Sequence, residues 1–167
     1  MTEVFISIGS NINREQNIRD AVHGLRELLD PDLRLSPVYE TAAVGFDGPP
    51  FYNLAACLQA TDVDQLKRQL LALENQAQRD RSAEKFANRT LDLDILLFGE
   101  ADMRQQGYDI PRQEILRYAF VLKPLSDLAA QRRYPGLDKT FHQLWSEFEQ
   151  KFPDQCRSIR QVRMENL

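Results

Sequence analysis

Apolar positions recur along this chain with two different periods, and the switches between them mark out its elements. Val4 to Ile8 (VFISI) is a short β-branched run closed by Gly9-Ser10-Asn11, which predicts a strand entering a tight turn. From residue 14 to 29, Ile18, Ala21, Val22, Leu25, Leu28 and Leu29 fall at helical spacing, with Asp30-Pro31 as the stop. Leu33 to Tyr39 alternates as a second strand and Asn53 to Gln59 reads as a third. Between them lies a loop rich in glycine, proline and aromatics, Thr41 to Phe51. Thr61-Asp62 opens a second amphipathic helix with Leu66, Leu70, Leu73 and Ala77 on one stripe, and Leu91 to Phe98 is a fourth strand. The order β-α-β-β-α-β predicts a ferredoxin-like α+β sandwich, with two helices on one face of an antiparallel sheet.

Beyond Gly99 the pattern weakens through a polar stretch, Ala101 to Asp109, and then Ile110-Pro111. Phe120-Val121-Leu122 followed by Pro124-Leu125 reads as a short apolar segment, and Phe141 to Phe148, with Trp145, as a third helix in a C-terminal helical extension. Residues 150–167, with Arg157, Arg160 and Arg163, read as a solvated, partly frayed tail. No internal repeat or low-complexity linker interrupts the 167 residues, so a single domain spanning 1–167 is expected.

Charge and composition narrow the function. A formal charge of −4 argues against general nucleic-acid binding. Cys57 and Cys156 are too few for a disulfide framework and stand in no metal-binding spacing. The chain begins without the charged and apolar regions of a signal peptide, and no apolar run approaches ~20 residues. A cytoplasmic monomer with no membrane or nucleic-acid partner is the expectation.

Within the apolar run Thr90 to Phe98 stand two carboxylates, Asp92 and Asp94. In a strand, residues i and i+2 share a face roughly 6.6 Å apart at Cα, so both point into one site. A DxD pair alone is ordinary on a half-exposed strand. Here Arg79, Arg81, Lys85 and Arg89 precede it, and anions held side by side call for cations. The set predicts Mg²⁺ bound at Asp92 and Asp94 and a mobile basic clamp that closes on a polyphosphate such as ATP. Gly9-Ser10-Asn11 lacks the spacing of a phosphate-cradling loop and reads as a turn. From spacing alone Phe51, Asn53 and Phe120 read as structural, and His23 on the first helix and His142 on the third as structural or exposed.

These residues together resemble the 6-hydroxymethyl-7,8-dihydropterin pyrophosphokinase family. The likeness runs from Val4 to about Leu128 and is carried by Arg89-Thr-Leu-Asp-Leu-Asp-Ile-Leu-Leu-Phe-Gly99, Ile8-Gly9-Ser10-Asn11 and Phe120-Val121-Leu122 with Pro124-Leu125. The resemblance implies pyrophosphate transfer from ATP to the pterin's hydroxymethyl oxygen, in folate biosynthesis, with release of AMP. It implies two Mg²⁺ ions on Asp92 and Asp94, and catalytic roles for these two with Arg79, Arg81 and Arg89. ATP contacts are implied for Glu74, Arg79, Arg81, Lys85, Arg89, Ile95, Arg112 and Arg117. Phe51 and Phe120 would sandwich the pterin, Asn53 would read its donor and acceptor edge, and Thr41, Ala42, Ala43 and Val44 would complete the pocket. On these three side chains the family reading overturns the structural one.

Departures cluster around the ATP-binding part. Ala87-Asn88 replaces the family's Gly-Pro, Lys85 an arginine, Arg112 a histidine, and Tyr118 an arginine, with Arg117 one position earlier. An active enzyme with altered nucleotide affinity or turnover is expected. The alternatives are a catalytically silent paralogue that binds pterin or nucleotide, and a Mg²⁺-dependent phosphotransferase with another acceptor. The latter would not need Phe51, Asn53 and Phe120 to converge on one cleft.

Overall fold

The computed structural model describes residues 1–77 and 91–167. In chain order the elements are β1 (Thr2–Ser10), α1 (Arg14–Leu28), β2 (Arg34–Leu35), β3 (Val38–Thr41), β4 (Phe51–Ala60), α2 (Val63–Ala77) and β5 (Asp92–Phe98). Two single 3-10 turns follow, at Arg104–Gln106 and Gln113–Leu116, and then α3 (Ala119–Ala129), α4 (Phe141–Lys151), α5 (Pro153–Ser158) and β6 (Arg160–Val162). The sheet runs β5-β1-β4-β3-β6, with β2 beside β4, and every pairing is antiparallel. This is the ferredoxin-like arrangement expected, widened by one strand.

Side chains alternate between the two faces of a strand, and each face meets a different set of helices. Val4, Ile6 and Ile8 of β1, Leu54, Ala56 and Leu58 of β4, and Leu93 and Ile95 of β5 pack with Ile18, Val22 and Leu25 of α1 and Leu66, Leu70 and Leu73 of α2. The opposite parity supplies Phe5, Cys57, Leu96 and Leu97, which pack with Val121, Leu122 and Leu125 of α3 and Phe141 and Phe148 of α4. Leu96 and Leu97 share that side because the β1/β5 register shifts at this point: Phe5 pairs with Leu97 and Ile6 with Ile95, so Leu96 is the extra residue of a bulge. Towards the far end of the same face the residues become Ser7, Gly9, Asn53, Asp92 and Asp94, where the sheet carries a cavity instead of a helix.

Three expectations need correction. The strand predicted over Leu33 to Tyr39 is two strands, β2 and β3, separated at Ser36-Pro37, because proline cannot donate to the ladder. The apolar segment at Phe120 to Leu125 is a full helix despite its internal Pro124, since burial of Val121, Leu122 and Leu125 outweighs one lost hydrogen bond. The C-terminal residues are not a frayed tail. They form α5 and β6, whose Val162, Gln161 and Arg160 pair with Val38, Tyr39 and Glu40, while Val162, Met164 and Leu167 pack against the first core. Three residues with two exposed polar side chains give too little periodicity to reveal such a strand.

His23 and His142 are exposed and Cys57 and Cys156 are free thiols. Among the described residues no helix is long and apolar enough to cross a membrane. Phe141 is fully buried, edge-on to Tyr134 at 6.4 Å between ring centroids, so Phe141→Ala is expected to cost about 3–5 kcal/mol, read as a shifted midpoint in urea denaturation.

Candidate active site

Register places the site residues in adjacent rows across the sheet. Tyr39 of β3, Asn53 of β4, Gly9 of β1 and Asp92 of β5 lie in one row, and Ala55, Ser7 and Asp94 in the next. The row residues Asn53, Gly9, Asp92, Ser7 and Asp94 line a cavity of about 470 Å³. Period-2 alternation on β5 puts Asp92 and Asp94 side by side there while Leu93 and Ile95 turn into the core beneath α1 and α2.

Gly9 is the floor. A Cβ at this position would stand 2.8 Å from Asn53 Oδ1, closer than nonbonded atoms tolerate. The Asn53 amide can therefore lie over β1 only because residue 9 has no side chain. It donates from Nδ2 to the buried Thr41 hydroxyl at 2.9 Å, which fixes its orientation. Phe51, two residues before it, forms one wall and meets Phe46 edge-on at 6.2 Å. Phe120, at the start of α3, is part of the lining and stacks on Tyr118 at 5.1 Å and 18°. The helix bearing Phe120 is tied to the sheet by Tyr39, whose hydroxyl donates to Asp127, itself paired with Lys123 at 2.9 Å. Burial first and that carboxylate second push the Tyr39 phenol far above its ordinary value, so it stays a neutral donor.

Electrostatics concentrate on β5. Among the described lining residues the cavity holds three carboxylates, Asp92, Asp94 and Glu114, and one guanidinium, Arg112. Arg112 Nη2 lies 3.4 Å from Asp94 Oδ2 and 3.4 Å from Glu114 Oε1, and its Nη1 lies 4.0 Å from Asp109 Oδ2. Burial alone would lower its pKa, but Asp94 and then Glu114 reverse that and hold it above the ordinary value, so it is a permanent cation. A second cavity of about 530 Å³ opens between α2 and the 107–112 segment, lined by Glu74, Lys67, Arg68, Ile95 and Tyr108 among others. Tyr108 donates to Asp64 at 2.5 Å, with Lys67 Nζ 5.2 Å from its ring centroid. Both cavities are lined by Asp94 and Arg112, which therefore stand at their junction.

Whether these residues suit a metal can be judged from the donor set. Among the described residues no cluster of three or more His, Cys, Asp or Glu forms a closed metal cage. Two half-buried carboxylates on one face, opening onto a roomy cavity, instead suit a hard cation that keeps most coordination positions for water and substrate oxygens, as Mg²⁺ does.

The structure thus gathers Thr41, Ala42, Val44, Phe51, Asn53, Asp92 and Phe120 in the first cavity, and Glu74 and Ile95 in the second, with Asp94 and Arg112 in both. Ala43 lines neither, and Arg117 lies away from both, in a shallow groove with Arg104 and Tyr134, where it donates to Gln113 at 2.9 Å. A shift of one residue beside a helix start turns a side chain to another surface, so Arg117 does not stand in for an arginine at position 118. Arg79, Arg81, Lys85 and Arg89 lie outside the described residues. The sequence gives no sign of Ser7, Glu114 or Lys67, marks Tyr118 only as a departure from the family pattern, and offers Gly9 only as a turn and part of the resemblance. The strand register would have exposed Ser7 and Gly9, because they sit between the Asn53 and Asp92 strands.

A family model described as 7,8-dihydro-6-hydroxymethylpterin-pyrophosphokinase (HPPK) matches residues 5–130. A relative from Pseudomonas aeruginosa, named 2-amino-4-hydroxy-6-hydroxymethyldihydropteridine pyrophosphokinase, is 40% identical over 145 residues, covering 79% of this chain and 83% of that protein. The folic acid synthesis protein fol1 of Pneumocystis carinii is 35% identical over 136 residues, and a folate synthesis bifunctional protein of Chlamydia caviae is 31% identical over 156. The chain covers only 18% and 33% of these two longer proteins, against 79% and 89% of itself. Among solved structures, an HPPK-DHPS of Plasmodium falciparum superposes with a TM-score of 0.75 at 11% identity, over 98% of this chain and 49% of that one, a likeness of fold.

Proposed function

The chain belongs to the 7,8-dihydro-6-hydroxymethylpterin-pyrophosphokinase family, and on that premise we propose that it transfers pyrophosphate from ATP to 6-hydroxymethyl-7,8-dihydropterin, giving the pterin diphosphate and AMP in folate biosynthesis. The observation that carries the proposal is the meeting of two cavities at Asp94 and Arg112. A two-substrate transfer needs two sites whose reacting ends touch at a charged centre.

In this reading the pterin lies between Phe51 and Phe120, with Asn53 hydrogen-bonding its amide edge, and the nucleotide lies along α2 beside Glu74 and Ile95. Its phosphates reach the junction, where Arg112 binds them. Arg79, Arg81, Lys85 and Arg89 are assigned to the same phosphates from their place in the sequence. Asp92 and Asp94 would hold Mg²⁺, two ions in this reading, which would supply charge neutralisation of the phosphate oxygens. The hydroxymethyl oxygen attacks the β-phosphorus in line and gives up its proton to water, the bond from that phosphorus to the α,β-bridging oxygen breaks, and AMP leaves with that oxygen. Holding both substrates in one geometry is the chain's main contribution. A monomer acting in the cytoplasm completes this reading.

Convergence of Phe51, Asn53 and Phe120 on one cavity supports a flat heterocyclic acceptor over another kind. Phe120→Ala removes one stacking face and is expected to raise the acceptor KM about tenfold with little change in the ATP KM, read from initial rates. The product nucleotide tests the proposal: chromatography should show AMP that requires both pterin and Mg²⁺. ADP, or AMP without pterin, would overturn it.

A further inference from the structure

We infer that Arg14 is a positioning residue for the acceptor wall at Phe51, gripping β4 from the back of the sheet, and that the C-terminal strand takes part through Arg160. The inference rests on the acceptor assignment proposed above. Ser10, Tyr52, Glu40 and Arg160 pair in one row across β1, β4, β3 and β6. Tyr52 belongs to the core on the α1 side, so this row faces away from the cavity that Phe51 enters.

Arg14 opens α1 and makes three contacts there. Nη1 donates to the Pro50 carbonyl at 2.9 Å, Nη2 donates to Glu40 Oε2 at 2.7 Å, and Cζ stands 3.8 Å from the Tyr52 ring centroid. Nearby, Asn11 Nδ2 donates to the Pro49 carbonyl at 3.1 Å. Residues 50 and 52 are thus held from behind while residue 51 points forward, and the carbonyl of residue 49 is tethered as well. The Pro50 carbonyl belongs to the peptide bond that carries the Phe51 nitrogen, so the grip acts directly on the wall's backbone.

Glu40 holds Arg14 in this pose and is shared with Arg160, whose Nη2 donates to Oε1 at 2.8 Å. Those hydrogen bonds, Arg160's first, outweigh burial and keep the Glu40 carboxyl below its ordinary value, so the network stays charged at neutral pH. Arg160 is 72% exposed and Arg14 only 28%, which makes Arg14 the larger contributor. A planar guanidinium can donate in two directions while stacking on a ring, which an ammonium cannot.

Titration of pterin fluorescence against wild type, Arg14→Met and Arg14→Lys, in parallel with initial rates and thermal melts, tests the inference. Arg14→Met should weaken pterin binding about tenfold and raise the pterin KM equally, with the ATP KM and kcat within about twofold. Arg14→Lys should weaken it about threefold, and Arg160→Gln about twofold in the same direction. Unchanged pterin affinity in Arg14→Met, or pterin and ATP affinities falling together, would overturn it. Should Arg14→Met not fold, Arg14→Lys decides by the same criteria. A wild type that binds pterin without forming AMP contradicts the transferase proposal but leaves the Arg14 comparison readable. A wild type that binds no pterin removes both.

Discussion

Replacing Asp94 by asparagine is expected to lower kcat roughly 10³-fold while pterin still binds within about threefold of the wild-type affinity. The substitution keeps the shape of the side chain and removes only its charge. Asp94 lines both cavities and pairs with Arg112 at 3.4 Å, so in the proposed reading its charge acts where the two substrates would meet and not where either would be recognised. Losing it weakens the hold on Mg²⁺ and frees Arg112 to turn towards Glu114 or Asp109. In the proposed reading the pterin is recognised by Phe51, Asn53 and Phe120, which rest against Phe46, Thr41 and Tyr118 respectively. Rate measurements at saturating substrates, with a separate pterin titration, check both halves. Turnover within tenfold of wild type would remove the metal-site assignment.

The smallest side chain of the site carries the second large effect. Gly9→Ala is expected to lower kcat/KM for the pterin about 10²-fold, from one methyl group. Residue 9 pairs with Asn53 on one side and Asp92 on the other, so whatever stands there presses on both functional rows. The added Cβ would lie 2.8 Å from Asn53 Oδ1 and 3.9 Å from the Tyr52 carbonyl. Asn53 must move, and moving it breaks its 2.9 Å bond to Thr41. Because the displaced group is a side-chain end, the fold should survive, and the melting temperature should fall by only a few degrees. Steady-state rates with a thermal melt test this. A variant with unaltered pterin KM would show that Asn53 does not set acceptor affinity.

Much of the fold was legible because its signals are periodic. Leu66, Leu70 and Leu73 at helical spacing, and Leu93 and Ile95 alternating with Asp92 and Asp94, each report the face they bury. The misses occur where periodicity is short or contradicted. β6 is three residues long, and Pro124 disguises α3 by a local rule that tertiary burial overrides. The site divides similarly. The carboxylate pair is visible from spacing, because charge within an apolar strand is anomalous. Phe51, Asn53 and Phe120 look like ordinary core and turn residues, and only the family resemblance singled them out. Gly9 gives no side-chain signal at all, since its role is to leave space. Two departures from the family pattern gain a physical account: Arg112 stands at the junction of the cavities, and Tyr118 stacks on Phe120.

In the proposed reaction both terminal phosphates of ATP move together onto the pterin. Phosphorus NMR of the wild-type reaction with ATP, Mg²⁺ and 6-hydroxymethyl-7,8-dihydropterin follows this directly. AMP and a pterin diphosphate are expected in equal amounts, with no ADP and no free phosphate, and neither without pterin or Mg²⁺. A pterin monophosphate with ADP, or ATP left intact while pterin is bound, would contradict it.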